Sequence, residues 1–245
     1  MDNKNIKILI IIPAFNEDKS ILNTYKSIID YNKEHNSHND VIVINDGSID
    51  NTKSILENNA IPHVNLPINS GIGAAVQTGH KYAKLHDYDI AIQYDGDGQH
   101  DVSYIKNITQ PIISDKANLV IGSRFVNATS SNFKSSRARR AGIKIISLFI
   151  KILTGKKIYD TTSGFRAADK KVIDIFASNY PSEYPEPISS VTLLKNKFII
   201  DEVPVSMNER TEGTSSIKAW KSIYYMFNVV LSIIIESIGG YKNEY

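Results

Sequence analysis

The sequence of 245 residues contains no cysteine, and its charges nearly cancel to a net +2. The absence of cysteine excludes disulfides, thiolate metal sites and a cysteine nucleophile, and it is typical of a reducing compartment. A charge this small argues against nucleic acid as a partner, because nucleic-acid-binding domains carry strong basic fields. The composition, 42% apolar and 22% charged, is that of a globular protein.

Long hydrophobic runs are missing as well. The N-terminus has neither a basic nor an apolar signal region, so no secretory signal is expected. The longest apolar stretch, Ile223 to Ile235, is interrupted by polar residues and is shorter than the roughly 20 residues that span a bilayer. We therefore expect a single cytoplasmic domain over residues 1–245. Its residues 223–238 are predicted to form an amphipathic helix, which either packs on the domain or lies peripherally on the cytoplasmic membrane face.

Apolar strands alternate with helical patterns through about residue 125, and this alternation predicts a Rossmann-like α/β fold with a doubly wound, mostly parallel sheet. The pattern weakens afterwards, so an elaborated C-terminal half of the same domain is expected. The predicted strands are 7–13, 40–46, 63–66, 89–94, 118–122 and 198–206. The predicted helices are 17–31, 51–58, 73–85, 102–114 and 142–153, and the predicted loops are 178–187 and 207–216.

The segment Ile90 to Asp101 carries the clearest chemical signal. Asp95 and Asp97 are two residues apart, so in extended backbone both carboxylates point to the same side. The intervening glycines allow a sharp bend. Two carboxylates at the end of a buried strand suit Mg²⁺ or Mn²⁺, which keep open positions for substrate phosphates. An ordinary polar turn is the alternative for an isolated Asp-x-Asp.

Polar residues also follow the first two strands. Asn16 and Glu17 come after strand one, and Asp46 comes after strand two. Ligands of open α/β sheets bind outside the carboxyl ends of the strands, so these clusters and the Asp95 segment predict one shared site. Asp46 could accept hydrogen bonds from a base or ribose, or it could belong to an Asx turn that leads into the next helix.

The sequence allows two interpretations for each of two further features, a glycine-containing run and an arginine. The run Gly71 to Ala75 resembles the start of a dinucleotide fingerprint but lacks its third small residue, so close backbone packing at a helix N-terminus is favoured. Arg166 is either a surface charge or a partner of Asp160.

The sequence also allows two interpretations for each of two cationic segments. The run Ser135 to Arg140 is either solvated or contacts phosphate or anionic lipid. In the run Glu209 to Ser216, Arg210 could close on a diphosphate, while Thr214 or Ser215 could simply cap the next helix.

Taken together, the motifs resemble family 2 glycosyltransferases of the GT-A fold, in the branch of dolichol-phosphate mannose synthases and polyprenyl-phosphate sugar transferases. The resemblance runs unbroken over about residues 6–235. The matching segments are Ile12–Glu17, Val43–Ser48, Asn69–Ala74, Gln93–His100, Gly122–Phe125, Asp160–Arg166, Glu202–Val205 and Arg210–Ser216.

The resemblance implies an inverting transfer from a UDP- or GDP-sugar to a lipid-linked or saccharide acceptor in cell-envelope or polysaccharide synthesis. Residues 6–125 would bind the donor, and residues 126–222 would form the acceptor side. The implied metal positions are Asp95, Asp97 and Gln99, with Mg²⁺ or Mn²⁺ as cofactor and Asp97 also counted as catalytic. The other implied donor-binding residues are Pro13, Ala14, Glu17, Asp46, Arg124, Arg210 and Ser215.

The sequence departs from the family pattern at Ile188, where relatives commonly carry an acid. Glu186 and Glu183 lie nearby, and Glu186 is the predicted general base, unless the acceptor is already ionised. The departure keeps a second interpretation open, a catalytically silent nucleotide-sugar-binding subunit. A sugar-phosphate nucleotidyltransferase is disfavoured, because the loop after strand one lacks the glycine-rich, basic sequence it needs.

Overall fold

The computed structural model describes residues 6–126, 137–207, 228–235 and 237. Its strands are β1 (Ile8–Ala14), β2 (Asp40–Asn45), β3 (His63–Asn65), β4 (Ile90–Gln93), β5 (Leu119–Ser123), β6 (Arg166–Asp169) and β7 (Ile200–Pro204). Its helices are α1 (Ile21–Glu34), α2 (Thr52–Asn58), α3 (Ile72–Leu85), α4 (Ile105–Ile113), α5 (Arg137–Thr154), α6 (Lys170–Ser178) and α7 (Pro185–Lys195). A single 3₁₀ turn, Val102–Tyr104, precedes α4.

The seven strands form one sheet in the order β3-β2-β1-β4-β6-β5-β7. All neighbouring pairs are parallel except those of β6, which runs antiparallel to both β4 and β5. The predicted mostly parallel, doubly wound sheet is therefore confirmed. The antiparallel strand β6 was not predicted.

Side chains of β1 alternate between two apolar cores. Leu9 and Ile11 join one core together with residues of α3, α5, α6 and α7. Ile10 and Ile12 join the other, together with residues of α1, α2 and α4. Because both faces of the strand are covered by helices, its sequence is a continuous apolar run rather than an alternating one.

The loop predicted for residues 178–187 is too long at its C-terminal end. Helix α7 begins at Pro185, and proline is favoured at the first helical position because its missing N–H has no partner there anyway. Tyr184, with φ of 49°, turns the chain into the helix through a left-handed conformation.

The predicted C-terminal helix is only partly described. Residues 228–235 are helical, and Val229 and Ile233 are buried in the core that contains α7. This part of the helix therefore packs on the domain, while the rest of 223–238, apart from Ser237, lies outside the described residues. Within the part of the chain that the structure describes, no helix is long and apolar enough to cross a bilayer.

Candidate active site

A cavity of about 420 Å³ opens at the carboxyl ends of β1, β2 and β4. The shared edge of these strands brings the polar segments together as expected for an open α/β sheet. Seven of the residues singled out from the sequence line the cavity, namely Pro13, Ala14, Glu17, Asp46, Asp95, Asp97 and Glu186.

The loops after β1 and β2 are tied to each other by hydrogen bonds. The Asn16 N–H donates to the Ser48 hydroxyl at 2.9 Å, and the Ile49 N–H donates to the Asn16 side-chain oxygen at 3.0 Å. Gly47 lies where a side chain is impossible, because its φ is 65° and an added Cβ would lie only 2.5 Å from the Asn69 nitrogen. The cavity wall on this side is therefore a rigid double loop.

Asp46 organises the entrance to α3. Its two carboxylate oxygens accept the N–H groups of Ser70 and Gly71, each at 2.8 Å. In the turn after β2, the Asn45 side-chain oxygen accepts the N–H of Ser48, three residues on, at 3.2 Å, one residue further than in an Asx turn. A donor that reaches Asp46 would use the remaining lone pairs of a carboxylate already held in place by the backbone.

The carboxylate of Asp95 packs closely against Gly164, where any side chain would displace it. A Cβ added at Gly164 would be 2.7 Å and 2.9 Å from the two carboxylate oxygens of Asp95. One of these oxygens lies 3.0 Å from Nε2 of His100, a ring that is buried against Phe165. Burial opposes ionisation, but the charge and hydrogen bond of His100 and the charge of Arg124 together hold the pKa of Asp95 below its usual range. Asp95 is thus kept as a carboxylate.

Asp97 and Gln99 lie on the loop that follows. One Asp97 oxygen accepts the Gln99 N–H at 3.0 Å, which fixes the turn. The Gln99 side chain is half-buried and does not line the cavity. In the described ranges no group of three or more His, Asp or Glu residues is arranged to hold a metal ion. The donor set still fits Mg²⁺ or Mn²⁺, since such ions bind one or two carboxylates and take further oxygens from phosphates and water.

Arg124 does not line the cavity. Its guanidinium is buried and makes a two-pronged ion pair with Asp160, with both N–O distances 2.7 Å, and it also donates to the Thr162 hydroxyl. It therefore braces the segment that carries the cavity-lining residues Thr162 and Gly164. Direct contact between Arg124 and a donor stays a prediction.

The alternative pairing of Arg166 with Asp160 is wrong. The Arg166 guanidinium is buried and donates to the carbonyl oxygens of Ser163 at 2.8 Å and Glu186 at 2.9 Å. It also reaches the hydroxyl groups of Ser189 and Ser190. Because Arg124 occupies both oxygens of Asp160, Arg166 anchors the first turn of α7 instead.

Glu186 in that first turn extends into the cavity. Burial raises the pKa of its carboxyl, and the nearby Arg166 charge only partly offsets this effect. A carboxyl with a raised pKa is a better proton acceptor at neutral pH. Ile188 is 9% exposed and packs in the apolar core, so its lack of a carboxylate removes no group from the cavity.

Close packing at α3 sets the position of α7. A Cβ added at Gly73 would lie 2.3 Å from the carbonyl oxygen of Pro181 and 2.7 Å from Cα of Ser182. The packing role inferred for the glycine run is thus fulfilled by Gly73, while Gly71 adopts a left-handed φ of 89°. The absence of a side chain at Gly73 lets the loop before Glu186 lie directly on the helix.

Several cavity residues were not singled out from the sequence. Thr162 and Gly164 lie in a segment recognised only as part of the family pattern, and nothing in their identities predicts a position over Asp95. The other lining residues that were not predicted as site residues are Phe15, Asn69, Gly71, Ile72, Ala75 and Gly96. The predicted residues Arg210 and Ser215 lie outside the described residues.

Comparison with known proteins places these features in a family. The sequence model described as Glycosyl transferase family 2 matches residues 9–176. A UDP-N-acetylglucosamine–dolichyl-phosphate N-acetylglucosaminyltransferase of Methanococcus voltae is 30% identical, covering 94% of this chain and 98% of its own length. A polyprenol monophosphomannose synthase of Mycolicibacterium smegmatis is 26% identical, covering 91% and 85% respectively.

A solved structure shows the same fold. Glucosyl-3-phosphoglycerate synthase from Mycobacterium tuberculosis, in complex with Mn²⁺, UDP-glucose and phosphoglyceric acid, aligns with a TM-score of 0.67. The alignment covers 97% of this chain and 82% of that one, at 16% sequence identity. At this identity the likeness concerns the fold alone.

Proposed function

Because the chain belongs to glycosyltransferase family 2 and is a glycosyltransferase, we propose that it moves a sugar from a UDP- or GDP-sugar to a lipid-phosphate or saccharide acceptor. The observation that carries this proposal is the meeting of Asp95, Asp97 and Glu186 in one cavity at the sheet edge. Such an arrangement supplies carboxylates for a metal-bound diphosphate and a separate carboxylate for the acceptor. Two relatives, named above, act on dolichyl-phosphate and polyprenol substrates, which supports a lipid-phosphate acceptor.

The wall formed by the β1 and β2 loops is proposed to bind the nucleoside. Pro13 and Ala14 supply apolar lining, and Glu17 and Asp46 supply acceptors for base or ribose donors. UDP is the favoured nucleotide, because the M. voltae relative is named for a UDP-sugar. Arg210 and Ser215 are proposed to close over the phosphates, with Arg124 supporting the site from behind.

Asp95, Asp97 and Gln99 are proposed to hold Mg²⁺ or Mn²⁺. When bound there, the cation neutralises the charge that develops on the departing diphosphate. The His100 contact keeps Asp95 ionised and oriented for this task. Residues 6–125 thus serve the donor, and the acceptor enters from the side of residues 126–222.

The transfer is proposed to invert the anomeric carbon in one displacement. The acceptor oxygen forms the new bond to that carbon while the bond to the diphosphate breaks, and the nucleoside diphosphate leaves. Glu186 accepts the proton of an acceptor hydroxyl, while a phosphate acceptor arrives ionised and releases no proton. We propose a cytoplasmic enzyme that works peripherally at the membrane face in cell-envelope or polysaccharide synthesis.

The donor proposal is tested by calorimetric titration with UDP- and GDP-sugars in the presence of Mn²⁺, Mg²⁺ or EDTA. Metal-dependent binding of one donor is expected, with loss of that binding in Asp97→Ala. Asp101→Asn is the matched control, since Asp101 is on the same segment but caps the 3₁₀ turn outside the cavity. A folded protein that binds no donor with either metal would refute the proposal.

The role of Glu186 is tested by Glu186→Gln. For a hydroxyl acceptor kcat should fall by about 10²-fold or more while donor affinity is kept. The parent's kcat should also decline towards acid pH with an apparent pKa above the ordinary glutamate range, since the base must be ionised. Unchanged turnover of a hydroxyl acceptor in the variant would show that Glu186 is not the base.

A silent sugar-nucleotide-binding subunit is the second candidate. The apolar Ile188 is the sequence feature that suggests it, but that residue packs in the core, and Glu186 lines the cavity. Donor binding without turnover on any lipid-phosphate or saccharide acceptor would favour this candidate.

A further inference from the structure

A buried amide group close to the cavity has no hydrogen-bond partner. Gln93, the last residue of β4, is 3% exposed. Its side-chain nitrogen carries two N–H donors, and no residue in the described part of the chain accepts them. A buried donor without an acceptor is unfavourable, because it has given up water without a replacement. Such a group in a native fold points to a role in function.

The Gln93 amide and the Asp95 carboxylate face the same point in space. That point is the position of a Cβ added at Gly164, which is 3.0 Å from the Gln93 side-chain nitrogen and 2.7 Å and 2.9 Å from the two Asp95 oxygens. Asp95 lines the cavity, whereas Gln93 does not. The amide therefore lies behind the cavity lining, where it can act on the carboxylate but not on a ligand.

The carboxylate of Glu186 is near the same amide. Burial raises the pKa of the Glu186 carboxyl, and the negative charge of Asp95 adds to that effect, so the two carboxylates are close enough to repel each other. The Gln93 side chain acts on Glu186 in the opposite direction. Its two neutral donors are thus next to two like charges, although neither forms a full hydrogen bond with it in this structure.

The sheet fixes the main chain around this amide. Gln93 is in register with Ile11 of β1 on one side and with Arg166 of β6 on the other. The Arg166 guanidinium in turn donates to the backbone carbonyl of Glu186 at 2.9 Å. The backbone of both strands is therefore held, and the orientation of the carboxylate groups is left to side-chain contacts. The unpaired donors of Gln93 are suited to that task.

We propose that Gln93 is a positioning residue that donates one side-chain N–H to Asp95 and the other to Glu186 when the site is occupied. Hydrogen bonds to carboxylates are stronger than those between neutral groups, so they hold the two like charges at a fixed separation. The inference rests on the proposed roles of Asp95 and Glu186 and gives Gln93 no contact with substrate.

Gln93→Met tests this role, because methionine nearly keeps the size of the side chain but has no donor. Loss of a hydrogen bond to a charged group should weaken Mn²⁺-dependent binding of the nucleotide sugar about tenfold, measured by calorimetry. With a hydroxyl acceptor, kcat should also fall about tenfold. The matched control is Gln77→Met, which changes a half-buried glutamine of α3 that donates to the Ala177 carbonyl outside the cavity. It should bind and turn over like the parent, and thermal unfolding verifies that each variant is folded.

Combined variants separate positioning from a packing defect. If Gln93 acts on turnover through Glu186, Gln93→Met should lower kcat in the parent but not in the Glu186→Gln background. Its effect on Mn²⁺-dependent binding, which depends on Asp95, should persist in that background. A packing defect would instead lower kcat by the same factor in both backgrounds and would overturn the proposal.

Crystal structures with Mn²⁺ alone and with Mn²⁺ and UDP give a readout that needs no turnover. The Gln93 side-chain nitrogen should lie within about 3.2 Å of one oxygen of Asp95 and one of Glu186. A nitrogen that contacts neither or only one of them would overturn the proposal, as would parental binding and turnover in Gln93→Met. Unchanged kcat in Glu186→Gln alone would instead refute the proposed base, and it leaves both Gln93 contacts measurable in the crystal.

Discussion

Substitution of Gly164 by alanine is the sharpest test of how the carboxylate of Asp95 is held. The added Cβ would lie 2.7 Å from one Asp95 oxygen and 2.9 Å from the other, and 3.0 Å from the Gln93 side-chain nitrogen. Gly164 does not have a left-handed φ, so alanine adds crowding without backbone strain. The nearer oxygen must move by about 0.3 Å to reach 3.0 Å and by about 0.7 Å to reach an ordinary contact of 3.4 Å.

A displacement of this size has a predictable cost. Because misplacement by about 1 Å can reduce activity about 10²-fold, Gly164→Ala should lower kcat/KM by roughly tenfold and weaken metal-dependent donor binding. Calorimetry with Mn²⁺ and UDP-sugar measures the binding, and initial rates measure the turnover.

The control for this prediction is Gly155→Ala. Gly155 has φ of 77° and no atom within 4 Å of an added Cβ, so its substitution introduces strain without crowding and should cost stability alone. Donor binding and turnover at the parental level in a folded Gly164→Ala protein would refute the reasoning about Asp95.

Two further predictions concern stability. Burial lowers the pKa of His80 to about 3, whereas its pKa in the unfolded chain is near 6.5. As the pH falls, the unfolded chain therefore binds a proton at His80 before the folded protein does. The free energy of unfolding should fall by about 2 kcal/mol between pH 6.5 and pH 5. Urea unfolding across this pH range should show the loss of stability in the parent and in His38→Leu, which changes an exposed histidine, but not in His80→Leu. An equal pH dependence of stability in both variants would contradict the prediction. Gly73→Ala should destabilise the fold by about 1–3 kcal/mol, because the added Cβ would clash with the backbone of Pro181 and Ser182. A variant that unfolds thermally at the same temperature as the parent would contradict this prediction.

The parallel half of the sheet could be predicted because the feature that marks each strand lies within its own sequence. Strands buried on both faces are continuous apolar runs, and β1, β2 and β4 follow that rule. Their polar ends then converge by topology alone, which is why Asp46, Asp95 and Asp97 were found. The resemblance to family 2 glycosyltransferases, now confirmed, extended this view to Glu186.

The remaining features depend on contacts that are distant in sequence. The strand β6, Arg166-Ala-Ala-Asp169, has no β-branched or aromatic residue to mark it. The choice between Arg124 and Arg166 as partner of Asp160 is likewise made in three dimensions. The sequence predicts Pro185 in a loop because proline serves both loops and helix starts, and only the backbone geometry decides between them.

The strand that the pattern missed is the one that completes the candidate site. Since β6 runs against its neighbours, the chain reaches it from the carboxyl edge of the parallel strands, and its first residue, Arg166, pairs with Gln93 at the end of β4. The residues just before β6 therefore cross the cavity, which brings Gly164 over Asp95. From the same position the Arg166 guanidinium reaches the backbone of Glu186. One short antiparallel strand thus holds Gly164 beside the carboxylate proposed to bind the metal, and through the buried Arg166 side chain it also holds the backbone of the residue proposed to serve the acceptor.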